Sequence, residues 1–212
     1  MTDDRRTFRG LLAARRIALA ALALFTMSVA APALAQFSDS YRFLEAVRKS
    51  ENNKIVEALE QPGVTPINTK DRSTGETALM IVIVRRDVTM TSYLLGRGAR
   101  TDLTDNGGRS ALMLATERRF PEGMQLLLTA KANPNQTNNS GETPLIRAVQ
   151  LRDIEMVRLL MAFGADPDRR DTLAGMSALD YAKAGAPVGG MMDLLTAGRK
   201  APRSSAVQGP TL

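Results

Sequence analysis

Histidine, cysteine and tryptophan are absent from the 212 residues, and the aromatics amount to six phenylalanines and three tyrosines. Without His or Cys there can be no Ser-His-Asp or Cys-His nucleophile, no His/Cys zinc site, no iron-sulfur ligation and no disulfide framework. Chemistry would have to come from carboxylates, Lys, Arg, Ser, Thr or Tyr, and the sequence gathers no such set into a site. Long charge-free stretches are equally scarce. With 24% of residues charged and one apolar run near the N-terminus, a multi-span membrane protein is excluded.

Charge of one sign is in small excess, 28 basic against 22 acidic residues. Part of that excess sits in residues 1–35, where Arg5, Arg6, Arg9, Arg15 and Arg16 face only Asp3 and Asp4. The remaining chain carries 23 basic and 20 acidic groups with the signs interspersed, which is an ordinary solvated surface. Nucleic acid is therefore not expected as a partner.

The first 35 residues have the composition of an export signal. An Arg-rich opening is followed by the uncharged run Ile17 to Ala31, then Pro32 and Ala33-Leu34-Ala35. A basic region, an apolar region and an A-x-A site predict a signal peptide over 1–35, cleaved after Ala35 so that the mature chain starts at Gln36. The uncharged stretch from Ile17 to Gln36 is Ala-rich and broken by Pro32, unlike a spanning helix of about 20 strongly apolar residues, so no stable anchor is expected after cleavage. Arg5-Arg6-Thr7-Phe8 partly matches the twin-arginine motif, but Arg9 stands where a second apolar residue is usual. The general secretory route is expected and the twin-arginine route stays open. Either predicts a periplasmic or secreted protein.

Beyond a short leader, 36–40, the chain repeats itself. Gly75-Glu76-Thr77-Ala78-Leu79, Gly108-Arg109-Ser110-Ala111-Leu112, Gly141-Glu142-Thr143-Pro144-Leu145 and Gly175-Met176-Ser177-Ala178-Leu179 recur at 33, 33 and 34 residues. A second signature keeps step: Leu94-Leu95-Gly96-Arg97-Gly98-Ala99, Leu127-Leu128-Thr129-Ala130-Lys131-Ala132 and Leu160-Met161-Ala162-Phe163-Gly164-Ala165. The hydroxyl residues Thr77, Ser110, Thr143 and Ser177 suit the start of a helix, and Pro144 suits its first turn. Apolar residues then follow at helical spacing. Each helix pair is too small to bury its own face, so stability must come from stacking on neighbours.

These motifs resemble the ankyrin repeat. The resemblance implies an all-α solenoid of about five helix-turn-helix repeats with short loop fingers over residues 41–198: a degenerate N-terminal cap at 41–73, then 74–106, 107–139 and 140–173, and a C-terminal cap at 174–198. The tail, 199–212, lacks periodicity and is expected to be disordered. It also implies non-enzymatic protein binding by a groove of fingers and first helices, with no cofactor or metal and a monomeric state expected. The motif-matched groove positions are Ser73, Thr74, Glu76 and Arg85, then Asn106, Arg109 and Arg118, then Asn139, Ser140, Glu142 and Leu151. Arg169 and Arg170 join them at the last finger, which the extra residue before Gly175 enlarges. A partner is expected on the loop tips, which no neighbouring helix should cover. Glu76, Arg109 and Glu142 could instead pair with one another across repeats.

Two departures carry expectations of their own. The family's histidine is replaced by Met80, Met113, Ile146 and Asp180, which predicts apolar packing where hydrogen bonds tie neighbouring repeats. The glycine ending each first helix is replaced by Arg86, Arg119 and Arg152. A left-handed backbone is costly for a non-Gly residue, so a shorter or reshaped turn is expected there. With Arg85 and Arg118 these residues could form a stripe for an acidic partner, a phosphate or a membrane surface, or a solvated edge neutralised by Asp87, Glu117, Glu122 and Asp153. Eleven methionines in an exported chain raise an alternative, a copper or redox-buffering protein with thioether ligands, against the simpler reading of Met80, Met113, Met191 and Met192 as packing. Another alternative is an immunity-like or regulatory inhibitor of an exported toxin or envelope enzyme. Asp180, Tyr181 and Lys183 lie close in sequence, but an open helical stack offers no pocket in which they would converge.

Overall fold

The computed structural model describes residues 31–61, 66–186 and 188–200. Most of the expected signal segment and the tail from residue 201 lie outside the described residues. The chain divides into two compact units, residues 1–43 and 44–212. In the first, the described backbone is helical from Ala31 onward, the Ala35-Gln36 bond included. The helix concerned is α1, Ala31–Lys49. Among the described residues no helix is long and apolar enough to cross a membrane.

In the second unit α2 (Asn52–Glu60) completes a first helix pair, and four more pairs follow: α3 (Ala78–Val84) with α4 (Val88–Gly96), α5 (Ala111–Glu117) with α6 (Pro121–Thr129), α7 (Pro144–Gln150) with α8 (Ile154–Ala162), and α9 (Ala178–Ala184) with α10 (Met191–Lys200). First helices pack on first helices, α3 on α5 on α7 on α9, and second helices on second helices, α4 on α6 on α8 on α10. This is an all-α solenoid. α10 runs to Lys200, two residues into the stretch expected to be a tail.

Each first helix starts where the repeat places a hydroxyl. Thr77, Ser110, Thr143 and Ser177 are extended, and each side chain accepts from the amide three residues on. The donors of the opening turns, orphaned in any helix, are thereby partly satisfied, at about 1 kcal/mol per cap. Behind the caps, Leu79, Leu112, Leu145 and Leu179 fill the same interior slot in successive repeats, none more than 3% exposed. Leu94, Leu127 and Leu160 do so on the second helices, all at 0%. Met80, Met113 and Ile146, at the family's histidine positions, are buried, so the departure there is apolar packing. The fourth position differs: Asp180 forms a reciprocal capping box with Ser177.

The expectation of a reshaped turn after each first helix is overturned. Arg86, Arg119 and Arg152 adopt left-handed backbone at φ 59°, 50° and 57°, and Ser50 does the same at 59° after α1. The turns are closed identically, for example by Arg86 N to Ile83 O at 2.9 Å and Asp87 N to Val82 O at 3.0 Å, the Schellman pattern of a helix end. Two main-chain bonds per turn offset a strain of roughly 1–2 kcal/mol. Asp87 and Asp153 then cap the second helices through the amides of Met90 and Met156.

Candidate binding surface

The fingers are built around one carboxylate or amide at the base of each. Asp71 Oδ1 accepts from the amides of Ser73 and Thr74 and from the Ser73 hydroxyl. Asp105 Oδ1 accepts from Gly107 N and Arg109 N, Asn138 Oδ1 from Ser140 N and Glu142 N, and Asp171 Oδ1 from Ala174 N and Gly175 N. A short polar side chain that binds the amides just beyond it fixes a tight turn. The Ser73 hydroxyl, then the Arg48 guanidinium and the two amides, hold the Asp71 carboxyl well below the usual carboxylate range. Burial alone would raise Asp171, but the Tyr181 hydroxyl and backbone amides outweigh it and its pKa is lowered. The same Tyr181–Asp171 bond, at 2.6 Å, raises the Tyr181 pKa.

Lowered carboxylate values mean that these groups favour the fold when ionised. Their contribution is complete above the unfolded Asp value of about 4 and is lost as pH falls through the folded values. The melting temperature should therefore be nearly constant from pH 7 to about pH 5 and decline below about pH 4, less steeply in Asp71→Asn than in the unmodified chain; equal acid limbs would refute the role of Asp71.

Successive fingers are tied to one another. Asn106 N donates to Thr74 O at 3.0 Å, Asn139 N to Gly107 O at 3.1 Å and Thr172 N to Ser140 O at 3.0 Å. The side-chain amides of Asn106 and Asn139 reinforce this ladder on Ser73 O and Asn106 O. Asn106 and Asn139 are exposed, and both side chains also hold the previous finger. Ser73, Thr74 and Ser140 supply the acceptors or turn donors of the same ladder.

Glu76, Arg109 and Glu142 are engaged with other residues and not with one another. Glu76 accepts from Thr74 Oγ1 and lies 3.8 Å from Arg48. Arg109 pairs with Asp105 at 2.7 Å and Glu117 at 3.3 Å. Glu142 accepts from Asn138 and Gln150. The arginine edge is likewise occupied in part: Arg85 donates to Val47 O and pairs with Asp87, the Arg86 guanidinium sits 5.7 Å from the centre of the Phe120 ring, and Arg119 reaches Asp153 and Leu151 O. Arg85, Arg86 and Arg119 thereby bridge adjacent repeats. Arg118 and Arg152 are exposed, and Leu151 is half-buried.

At the last finger Arg170 donates to Gly175 O and pairs with Asp180 at 3.2 Å, while Arg169 is exposed. Between them and Gly175 the enlarged tip lifts Leu173 into solvent at 78% exposure, although the turn beneath is fixed by Asp171 and Tyr181. The sequence carries one sign of Leu173, an apolar residue in the one finger with an extra residue, among neighbours that are mostly polar. Asp180, Tyr181 and Lys183 do not converge: the first caps its own helix, the second binds Asp171 and the third is exposed. Met80, Met113 and Met191 are buried, and Met192 is half-buried.

A helix-pair solenoid with ordered fingers along one side defines a repeat scaffold for protein contacts. The family model for ankyrin repeats (3 copies) matches residues 43–138 and 120–187, and the chain belongs to that family. No curated protein matches the sequence. Ankyrin repeats are generic protein-protein interaction modules, so membership defines a mode of action and leaves the target to the surface.

Proposed function

We propose that this chain is exported, cleaved between Ala35 and Gln36, and acts in the periplasm as a non-enzymatic module that binds a protein through its fingers and first helices. The observation that carries the reading is the fourth finger, where an apolar side chain, Leu173, is held in water by a rigid polar turn. Isolated exposed leucines are common on any surface. One mounted on a fixed finger that also carries the exposed Arg169 has little entropy left to lose on contact, which favours an anchor for a partner's apolar pocket. The basic and apolar composition of residues 1–35 supports export.

A photo-crosslinking residue placed at 173 should give one dominant adduct in intact cells, whereas the same probe at Gln125 on α6 should give none. Leu173→Asp should weaken the captured complex by at least about tenfold without lowering the melting temperature, since the side chain packs against little. Equal adducts from both positions would remove the fingers from the argument. Intact mass tests the rest: a species retaining residues 1–35 in the membrane fraction would overturn the location. Changing Arg5 and Arg6 to Lys should leave export intact on the general secretory route and block it on the twin-arginine route.

A further inference from the structure

Among the guanidiniums beside the fingers and first helices, those of Arg48, Arg109 and Arg147 are treated differently. Arg48 is neutralised by Asp71 at 2.8 Å, and Arg109 by Asp105 at 2.7 Å and Glu117 at 3.3 Å. Arg147 has no such partner. Its Nη1 donates to Gln150 Oε1 at 3.1 Å, its Nε is sealed from solvent without a hydrogen bond, and among the described residues no carboxylate comes within ion-pair distance.

Its position makes this unusual. Arg147 lies 33 residues after Leu114, which lies 33 after Ile81, and those two are 2% and 7% exposed. A leucine at 147 would continue the apolar column. A half-buried cation with an unsatisfied donor is instead a liability for the fold, because burial of charge is favourable only when it is paired and fully hydrogen-bonded. The side chain is nevertheless held in place. Gln150 spans the gap between Arg147 and Glu142, accepting from the guanidinium and donating to Glu142 Oε1 at 3.1 Å, so Glu142 is kept one amide away. Arg118, four residues beyond Leu114 and on the same helix face, is exposed, and among the described residues no carboxylate comes within ion-pair distance of it.

We infer that the groove face of the fourth repeat is a receptor for the carboxylates of an acidic, extended segment of a partner protein, with Arg147 as the ion-pairing residue, Gln150 orienting it and Arg118 taking a neighbouring acidic side chain. This rests on the protein-binding reading above and adds the chemistry of the bound segment. A free carboxylate on so open a face would gain little, because exposed ion pairs are weak. A peptide chain covering the guanidinium removes water from the pair and strengthens it, and a charge-assisted fork to a carboxylate is geometrically specific.

The test uses an acetylated peptide amide, Gly-Glu-Leu-Glu-Gly, and its Gln counterpart, titrated against 15N-labelled protein with the arginine Nε–Hε signals as readout. Arg147→Lys identifies the signal that belongs to Arg147. The Glu peptide should move that signal and the Gln peptide should not, and about 0.5 M salt should weaken the effect. Arg147→Leu should bind the Glu peptide at least about tenfold more weakly and melt higher than the unmodified protein, and Arg118→Ala should weaken binding by a smaller factor. Equal shifts with both peptides, or unchanged binding in Arg147→Leu, would overturn the inference. So would a lower melting temperature in both Arg147→Leu and Arg147→Met, which would make the guanidinium a structural group. Retained crosslinks at 173 alongside failure of these titrations would defeat this site alone; a positive titration without any crosslink would defeat the wider reading.

Discussion

Gly108→Ala should destabilise the protein by about 3 kcal/mol and lower its melting temperature by roughly 10 °C, a large response for a single methyl group. Gly108 has φ +74°, where an L side chain is strained by roughly 1–2 kcal/mol. A Cβ there would also stand 2.7 Å from Asn139 N and 2.3 Å from Asn139 Oδ1. The first of these is backbone and cannot rotate away. Asn139 would have to withdraw, breaking its main-chain bond to Gly107 O and loosening its side-chain bond to Asn106 O, each worth about 1 kcal/mol. Gly98→Ala separates strain from collision, because Gly98 has φ +87° but nothing within 4 Å of its Cβ position. It should lose only about 1 kcal/mol, and Lys131, one repeat later with φ 63°, shows that a side chain is accepted in that slot. Adding Asn139→Ala to Gly108→Ala should rescue nothing, since the collision with the Asn139 amide remains. Calorimetric melts of the four proteins decide it: equal losses for Gly108→Ala and Gly98→Ala would mean that the finger ladder does not require the close approach.

The ladder also marks the boundary of what could be read without a structure. The 33-residue recurrence of Gly, hydroxyl and Leu was legible because each repeat demands the same local thing, a left-handed turn, a cap and an interior filler. The finger bases were harder, because Asp71, Asp105, Asn138 and Asp171 step by 34, 33 and 33 residues and one of the four is the amide of the same turn, not the acid. Asn106 and Asn139 look like solvent-facing loop residues by composition, and only the proximity of the previous finger turns them into tethers. For Arg86, Arg119 and Arg152, intrinsic propensity pointed to a reshaped turn and the main-chain closure overrode it. Nothing in the sequence marks Arg147, because amphipathic periodicity tolerates a long cationic side chain at a half-buried position, and its lack of a carboxylate is visible only in three dimensions.

Deleting residues 174–212 should produce the largest loss of stability, at least about 5 kcal/mol and more than roughly 10 °C, because it removes the last helix pair and uncovers the fourth. Leu179, Met191 and Leu195 are no more than 3% exposed, and each buried side chain of this size contributes about 1.5–3 kcal/mol. Their removal bares the faces of α7 and α8 on which α9 and α10 pack. The finger suffers as well. Asp171 loses the Tyr181 hydroxyl and the amides of Ala174 and Gly175, so the carboxylate that organises the turn is left with no turn to organise. Deleting only 201–212, beyond the end of α10, should leave the melting temperature within about 2 °C, which separates loss of the cap from loss of chain length. The substitution Leu195→Ala gives an intermediate case, a loss of about 2–4 kcal/mol from a cavity at a residue with 0% exposure. In a nearest-neighbour stack the three variants must fall in the order tail deletion, Leu195→Ala, cap deletion; a cap deletion that melts with the intact protein would mean that α9 and α10 dock on a stack already complete at α8.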